Sequence, residues 1–251
     1  ESLQQLCETF EISYVVNSHT HPDHSAGNWV FQGKPIHVPE EAFETSGNVV
    51  ALSKRFVSER LARTWQRFVQ ETMGFQDCRP TNTYTEGNPF TFGETVIKPI
   101  HTPGHTKDHY CFFEEKKGIL FSFDYDLTSF PWYGHRESNL TEFRASIKRL
   151  KALSPRIVVS SHRGIVTENI NAEFDRFYRI IDERNVRLLS LLTSARTIDQ
   201  LVEMAPIYGK YPYAETLLQY WERLMITQHL EELEKDGKVQ RYGNSFIRSK
   251  K

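Results

Sequence analysis

The sequence has few cysteines, no long hydrophobic run and no excess of either charge, and each absence excludes a class of protein. Cys7, Cys78 and Cys111 are odd in number and widely spaced, which argues against a disulfide framework and favours a reducing, cytoplasmic compartment. No apolar stretch approaches the roughly 18 residues that span a bilayer, and no signal-peptide pattern opens the chain. We therefore expect no membrane partner.

The charges nearly cancel. The 31 basic and 32 acidic side chains give a formal net charge of −1, so a general electrostatic attraction to nucleic acid is not indicated, although a local basic patch remains compatible with this balance. The 251 residues are 39% hydrophobic and 25% charged, a composition typical of a soluble globular protein with one large domain and one small one.

Residues 19–24 read His-Thr-His-Pro-Asp-His and concentrate metal-ligand side chains in a short segment. A β-prone run precedes them, and an extended chain points His19 and His21 the same way. Pro22 suits the first turn of a helix, which we expect to continue through residues 25–31. One strand-to-helix turn would therefore present four ligands to one point.

Three more candidate ligands each follow an apolar, strand-like run: His105 after 95–100, Asp124 after 119–123 and His162 after 157–159. Loops that follow the strands of a rigid sheet are the usual place for catalytic groups. The complete candidate set is His19, His21, Asp23, His24, His105, Asp124 and His162. Five histidines and two aspartates are enough for two adjacent metal ions.

Imidazole and carboxylate are good ligands for zinc, and they also suit iron and manganese. Two ions about 3.5–4 Å apart can clamp an attacking hydroxide and a substrate oxygen, and metal-bound water ionises near pH 7. The sequence therefore predicts a dinuclear metal-dependent hydrolase that uses two divalent ions, zinc in the first place. No cysteine lies in the cluster, so a thiol nucleophile is the weaker alternative.

Residues 130–135, Phe-Pro-Trp-Tyr-Gly-His, follow Asp124 closely and should lie over the metals. Tyr133 or His135 is a candidate catalytic residue that would donate a hydrogen bond to a developing oxyanion. The alternative is an aromatic loop that closes the end of the sheet. For four other histidines we expect ordinary surface or core positions: His37, His101, His109 and His229.

Residues 51–75 repeat apolar side chains at helical spacing and carry five basic residues, between Lys54 and Arg67. The helix either packs an apolar stripe beneath a solvated basic face or forms a lid whose arginines hold an anionic substrate. Residues 76–94, rich in Pro and Gly, are expected to form loops and turns.

After about residue 170 the pattern becomes helical, with helices expected at 172–192, 197–205 and 213–235 and a hairpin at 239–247. Helix, helix, helix, hairpin is the winged-helix order. The third helix carries four acidic residues between Glu231 and Asp236, which would repel phosphates. An interaction or capping subdomain is therefore favoured over a DNA-binding one.

The His-Thr-His-Pro-Asp-His segment, the His-Thr-Pro-Gly-His-Thr segment, the aspartate after a strand and the later histidine resemble the metallo-β-lactamase superfamily over roughly residues 10–170. The resemblance implies that His19, His21 and His105 hold a first metal and that Asp23, His24 and His162 hold a second. It also implies that Asp124 bridges the two and that Asp23 orients the nucleophilic water. The C-terminal part is similar to the β-lactamase-like protein 2 branch, which includes single-stranded-RNA endonucleases and bacterial hydrolases.

This sequence departs from the family pattern in three places. Only 18 residues precede His19, so the first strands of the family fold are expected to lie outside this sequence or to come from another chain. Phe123 replaces the glycine usual before the bridging aspartate, with Asp126 as the alternative bridge. Arg163 replaces the glycine usual after the last histidine, and it either holds a substrate anion or forms an ion pair.

We therefore predict an α+β protein: an αββα metallo-β-lactamase sandwich over residues 1–170, its N-terminal strands apparently missing, and a small winged-helix-like domain over residues 171–251. The expected substrate is a small ester, thioester or lactone attacked by a metal-bridging hydroxide. The alternatives are a single-strand RNA endonuclease or other phosphodiesterase, and a non-catalytic metal-containing regulator that binds nucleic acid. Assembly into a homo-oligomer is left open.

Overall fold

The computed structural model describes residues 3–249 of the chain. The strands are β1 (Val15–Val16), β2 (Ile36–Pro39), β3 (Asn82–Tyr84), β4 (Phe90–Phe92), β5 (Thr95–His101), β6 (Tyr110–Glu114), β7 (Ile119–Phe123), β8 (Ile157–Ser160), β9 (Gly164–Val166), β10 (Arg196–Thr197), β11 (Val239–Tyr242) and β12 (Ser245–Arg248). The α-helices are α1 (Leu3–Thr9), α2 (Pro22–Ser25), α3 (Val49–Phe56), α4 (Ala62–Met73), α5 (Leu140–Ala152), α6 (Ile170–Leu191), α7 (Ile198–Glu203) and α8 (Glu215–Lys235). Short 3-10 turns lie at Asn28–Phe31, Glu40–Ala42 and Glu59–Leu61.

Two sheets pack against each other in the first two thirds of the chain. One is parallel, in the order β1-β2-β3, and the other is mixed, in the order β4-β5-β6-β7-β8-β9. Buried aromatic rings join them: Tyr84 of β3 lies 5.2 Å from Tyr110 and 5.7 Å from Phe112 of β6, between ring centroids. The Tyr110 N–H also donates to the Ser18 carbonyl at 2.9 Å. Helices cover the outside, as expected for a layered α+β fold.

Strands β6 and β7 form a hairpin, because they pair antiparallel with Glu114 opposite Ile119. Helix α5 follows at Leu140–Ala152. Asn139 begins it, because its side-chain oxygen accepts from the Glu142 N–H at 3.0 Å. Its buried stripe, which includes Phe143 and Ile147, packs into the largest hydrophobic cluster.

The C-terminal part has the predicted order of helices α6, α7 and α8 followed by the β11–β12 hairpin, with β10 pairing beside β12. Thr197 begins α7 with a capping box that it shares with Gln200. One hydrophobic cluster contains Phe143 from the first part and Phe177 and Met225 from the second. The domain boundary at residue 170 and the winged-helix description stay predictions.

The single helix predicted over 51–75 is wrong, because α3 ends at Phe56 and α4 begins at Ala62. Phe56 and Val57 are both buried in the same cluster, yet consecutive residues of a helix point about 100° apart. Leaving the helix at Val57, which is extended, allows both side chains to enter the core.

Two other local predictions need correction. The expected helix body over 25–31 is interrupted after Ser25, because Asn28 and Asn17 exchange side-chain amide hydrogen bonds of 3.1 and 2.8 Å that turn the chain back towards β1. The stretch 76–94 holds strands β3 and β4 as well as loops. Each strand has three residues, too few to show an alternating pattern in the sequence.

In residues 3–249 no helix has the length and apolar character needed to cross a membrane.

Candidate metal centre

Four buried side chains meet at one end of the sandwich, His19, His21, His105 and Asp124, and one ligand atom of each lies within 4.8 Å of the others. His105 Nε2 lies 2.8 Å from His21 Nδ1 and 2.9 Å from Asp124 Oδ2. His19 Nε2 lies 3.6 Å from the same carboxylate oxygen. Three imidazole nitrogens and a carboxylate around one point form the donor set of a divalent-cation site.

A second group shares Asp124 and consists of Asp23, His24, Asp124 and His162, again within 4.8 Å. His24 Nε2 lies 2.9 Å from Asp124 Oδ1, and His162 Nε2 lies 3.4 Å from that oxygen. Asp23 Oδ2 lies 3.4 Å from His24 Nε2 and 3.7 Å from His162 Nε2. The two oxygens of Asp124 thus face different groups, and the structure brings the seven candidate ligands together in the two groups that the family resemblance implied.

The turn that carries the first ligands has the predicted form. His21 is the N-cap of α2, with the extended torsion angles φ −60° and ψ 145°, and Pro22 occupies the first helical turn. The His19 and His21 rings meet edge to face, 4.7 Å apart between centroids. Asp23 and His24 follow within the helix itself, so the segment after β1 and the first turn of α2 together present these ligands.

The loop that carries His105 depends on Gly104. Its φ is +121°, and a Cβ there would lie 2.1 Å from the Phe143 nitrogen of α5, so only glycine allows this close approach. His105 Nδ1 lies 2.8 Å from the Trp132 carbonyl. Because a carbonyl oxygen only accepts, Nδ1 carries the proton and Nε2 keeps its lone pair for a metal.

Electrostatics prepare the centre for a cation. Burial raises the pKa of Asp124, but the neighbouring His105, His24 and His19 outweigh it and hold that pKa well below its usual range. Burial lowers the pKa of His24, yet the adjacent Asp124 and Asp23 raise it to about 10, so a metal that binds His24 would displace its proton. Burial, with the nearby imidazoles, lowers the pKa of His19 and His21 well below 6.5, so both offer the neutral form that metal ligation requires.

The buried polar atoms of the donor set fit a bound metal. Among the described residues, His19 Nε2, His24 Nε2 and Asp124 Oδ1 are buried without a hydrogen-bond partner of normal geometry. Buried polar atoms are almost always paired. Divalent cations held by these residues would satisfy all three atoms, so the residues fit the group.

A cavity of about 400 Å³ opens over the centre. Its floor includes ligands from both groups, among them His21, Asp23, His105, Asp124 and His162. Its walls are aromatic and aliphatic: Trp65, Phe68, Val69, Met73, Phe130, Trp132, Tyr208, Tyr213, Leu218 and Trp221. Among residues 3–249, no lysine or arginine lines it. The chain therefore places a small-molecule-sized, largely apolar space directly against the candidate ligands.

A family model described as the metallo-beta-lactamase superfamily matches residues 7–162. This chain belongs to that superfamily. Within it, the chain is 28% identical over 169 residues to an acyl-coenzyme A thioesterase, MBLAC2, of Gallus gallus, covering 65% of this chain and 57% of that protein. It is 26% identical over 223 residues to the lactamase-like protein nscB of Arthroderma benhamiae, covering 82% of this chain and 42% of that protein. This chain therefore spans about half the length of these relatives.

Solved structures of the superfamily share the fold. A metallo-beta-lactamase family protein from Thermus thermophilus superposes with a TM-score of 0.75 at 22% identity, covering 98% of this chain and 84% of the other. A beta-lactamase domain protein from Burkholderia ambifaria superposes with a TM-score of 0.70 at 16% identity, covering 96% and 75%. The similarity thus includes the C-terminal helices as well as the sandwich.

This member of the metallo-beta-lactamase superfamily departs from the family pattern at two positions near the ligands, Phe123 and Arg163. Phe123 has a φ of +49°, in the left-handed region that favours glycine, and its ring packs against Phe112. Asp126 lines the cavity, but its Oδ1 accepts from the Thr128 N–H at 3.1 Å, whereas Asp124 reaches both groups. Arg163 forms an ion pair with Glu173 and donates to the Leu127 carbonyl, which agrees with the ion-pair alternative.

The structure separates the two predicted oxyanion donors. His135 is buried at the cavity, with Nδ1 2.5 Å from His21 Nε2. Tyr133 lies outside the cavity lining, and its hydroxyl contacts Arg184 and His229 at 2.7 and 2.8 Å. The oxyanion role predicted for Tyr133 is not supported, because its hydroxyl is already engaged in the core. Of the two alternatives for the basic helix, the lid is not supported and the apolar stripe beneath a solvated basic face agrees with the structure. Helix α4 lines the cavity with apolar side chains, while Arg63 and Arg67 are exposed.

Sequence reasoning missed a buried network behind the ligands. Asp108 accepts from the Thr20 N–H and hydroxyl, and Arg55 donates to Asp108, to the Thr20 hydroxyl and to Glu137. The weak signal was Asp108 itself, an acidic residue three positions after His105. His109 was expected to be an ordinary core histidine; it is buried and bonds Thr102, but its Nε2 has no partner among the described residues.

Proposed function

We propose that this protein is a metal-dependent hydrolase that acts on a small ester, thioester or lactone. The observation that carries the proposal is the cavity, which puts an apolar, small-molecule-sized space against two groups of metal-ligand side chains. A thioester is the first substrate to test, because a relative 28% identical over 169 residues is named an acyl-coenzyme A thioesterase.

In this proposal His19, His21 and His105 hold one divalent ion and Asp23, His24 and His162 hold the other, with Asp124 shared. Zinc is the first choice, with iron or manganese as alternatives. Bound ions of this kind lower the pKa of water towards 7 and stabilise the charge that develops on a substrate oxygen. The chain itself supplies orientation and exclusion of bulk water.

Asp23 is the proposed catalytic carboxylate. Its side chain is 41% exposed and lies on the cavity floor beside the buried Asp124, which is 7% exposed. A carboxylate in this position can orient the attacking water and take up a proton that the reaction releases. His162, 48% exposed, lies on the same side, so the second group faces the substrate space. A purely structural metal is expected to be enclosed by protein ligands, and this accessibility supports catalysis over a regulatory role.

The RNA alternative receives no specific support. A single-strand nuclease needs cations along the path of the phosphates, and none of the cavity-lining side chains is a lysine or arginine among the described residues. Of the basic residues in the first two thirds, Arg55 is committed to the Asp108 and Glu137 carboxylates.

The test is metal analysis of the purified protein followed by assays on matched thioesters, esters, lactones and phosphodiesters, before and after chelation. We expect bound divalent metal and hydrolysis of at least one acyl substrate that is lost on chelation and restored by zinc, iron or manganese. His21→Ala should lose metal and turnover together. His37→Gln is the control, because His37 lies on β2 outside the cluster. Full activity of His21→Ala would reject the site.

A further inference from the structure

We propose that the cavity binds an apolar acyl group of the substrate between α4 and α8, and that Trp221 sets the size of group accepted. This inference rests on the proposed hydrolase function and names the substrate class of that site. The leaving group, including any phosphate, would lie outside the cavity.

The first observation is the separation of polar and apolar surface. Carboxylates and imidazoles occur at the floor, whereas the walls above it are hydrocarbon and aromatic rings. The charged groups that face the space are Asp23, Asp124 and Asp126. Between the walls, away from the metal ions proposed at the floor, an anionic group would meet no lysine or arginine among the described residues and would lose its hydration. An apolar acyl group would instead gain by leaving water.

The second observation is that distant parts of the chain build the walls. Trp65 and Val69 come from α4, while Leu218 and Trp221 come from α8, more than a hundred residues later. Trp221 also packs beside the hydrophobic cluster that contains Trp65. The C-terminal helices therefore help to form the substrate space rather than standing apart from it.

The third observation is that the wall is held in one geometry. Trp132 Nε1 donates to the Tyr208 hydroxyl at 2.7 Å, and the Trp132 and Trp221 rings meet edge to face, 5.8 Å apart. A Cβ on Gly134 would lie 3.0 Å from the Trp132 ring and 3.1 Å from the Trp221 Cβ, so glycine permits this close packing. A wall held by such contacts sets a size limit, because rings fixed in this way cannot easily move aside.

Side chains at the mouth of the cavity are more exposed to solvent than those in its interior. Met73 is 37% exposed and Tyr213 is 66% exposed, whereas Trp65 is 2% exposed. The acyl group would enter between Met73 and Tyr213 and lie against the buried rings, with its carbonyl at the ligand floor. Because Trp221 lines the cavity from α8, removal of its ring would enlarge the space on that side.

The experiment compares acetyl, octanoyl, hexadecanoyl and benzoyl thioesters of one small neutral thiol, with metal-loaded wild type, Trp221→Ala and Trp221→Phe. We expect wild type to favour an apolar acyl group over acetyl in kcat/KM by about tenfold or more. Trp221→Ala should raise the hexadecanoyl-to-octanoyl ratio by about tenfold, while Trp221→Phe, which keeps an aromatic wall, should change the ratio much less. Metal content and melting temperature identify a variant that has failed to fold.

Two further arms separate the sources of failure. Isothermal titration of octanol into the metal-loaded protein measures binding without turnover, and Trp221→Ala should weaken it. Changing the thiol of an octanoyl thioester from the small thiol to coenzyme A should change kcat/KM less than changing the size of the acyl group does. This inference is overturned if kcat/KM depends on the thiol rather than on the acyl group and if the hexadecanoyl-to-octanoyl ratio is unchanged in Trp221→Ala. The proposed hydrolase function would still stand. Absence of metal-dependent hydrolysis of every acyl substrate, with octanol still bound, rejects the proposed function instead.

Discussion

Thr20 donates both its backbone N–H and its hydroxyl to one carboxylate oxygen of Asp108, at 3.0 and 2.6 Å. Thr20 lies between His19 and His21, and Asp108 lies three residues after His105, so this contact joins the two loops that carry the first ligand group. Burial raises the pKa of Asp108, but Arg55 and the Thr20 hydroxyl outweigh it and lower that pKa. Asp108 is therefore an ionised, buried anchor behind the candidate metal.

Asp108→Asn should weaken metal binding by about 10–100-fold, the usual cost of removing a partner that orients metal ligands. The amide keeps the size of the side chain but loses the charge that pairs with Arg55 and one acceptor for Thr20. Chelator competition measures the affinity directly. Glu137→Gln is the matched control, because Glu137 accepts from the same Arg55 guanidinium. Thr20 donates to Asp108, so Glu137→Gln should weaken metal binding less than Asp108→Asn does. A folded Asp108→Asn protein with wild-type metal affinity would contradict the anchoring role.

His135→Phe distinguishes two roles for His135. The ring is stacked on Phe56, with centroids 4.5 Å apart, so phenylalanine keeps the packing but removes the nitrogen next to His21 Nε2. If His135 positions His21, metal affinity should fall by about tenfold or more. If it instead donates to an oxyanion, as the sequence suggested, kcat should fall with metal affinity unchanged. We expect the loss of affinity. Phe56→Leu, which changes the stack and keeps the imidazole, is the comparison.

The ligand groups could be predicted because their chemistry is local. Few residue types bind divalent metals, and the motif at 19–24 and the strand ends before Asp124 and His162 constrain where such residues can lie. The division into two groups with Asp124 shared came from the family resemblance, and the two Asp124 oxygens face the two groups. The layered fold followed from the same strands, since their apolar runs were long enough to recognise.

The supporting network and the cavity could not be predicted because they depend on distant packing. Arg55 meets Asp108 across 53 positions, and Trp221 reaches the cavity from the C-terminal helices. Tyr133 and His135 were indistinguishable in the sequence, because nothing local shows which of two nearby loop residues faces the ligands. Arg184 and His229 decide it by engaging the Tyr133 hydroxyl in the core.

At Phe123, glycine should be less harmful than alanine, the reverse of the usual order in a strand. Its φ of +49° disfavours any side chain by roughly 1 kcal/mol, and the ring offsets this cost by packing 5.3 Å from Phe112 between centroids. Phe123→Ala loses the packing and keeps the strain, whereas Phe123→Gly loses both. Denaturant unfolding of the metal-free protein should find Phe123→Gly more stable than Phe123→Ala by about 1 kcal/mol. Equal stability, or alanine above glycine, would show that the backbone is not strained there.

Below pH 6.5 the metal-free protein should lose stability, in part through His229. Its Nδ1 donates to Asn185 Oδ1 at 2.7 Å, and its Nε2 accepts from the Tyr133 hydroxyl at 2.8 Å, so the folded state holds it neutral. Burial, with Arg184 and Arg144 nearby, lowers its pKa well below 6.5. The unfolded chain therefore takes up a proton first as the pH falls, and stability is lost below about pH 6.5, at up to about 1.4 kcal/mol per pH unit.

Unfolding free energies measured across this pH range should show a shallower dependence on pH for His229→Gln than for wild type. Tyr133→Phe is the control, because it removes a hydrogen bond but keeps the imidazole, and it should lower stability while retaining the slope. An unchanged slope in His229→Gln would mean that His229 titrates alike in the folded and unfolded states.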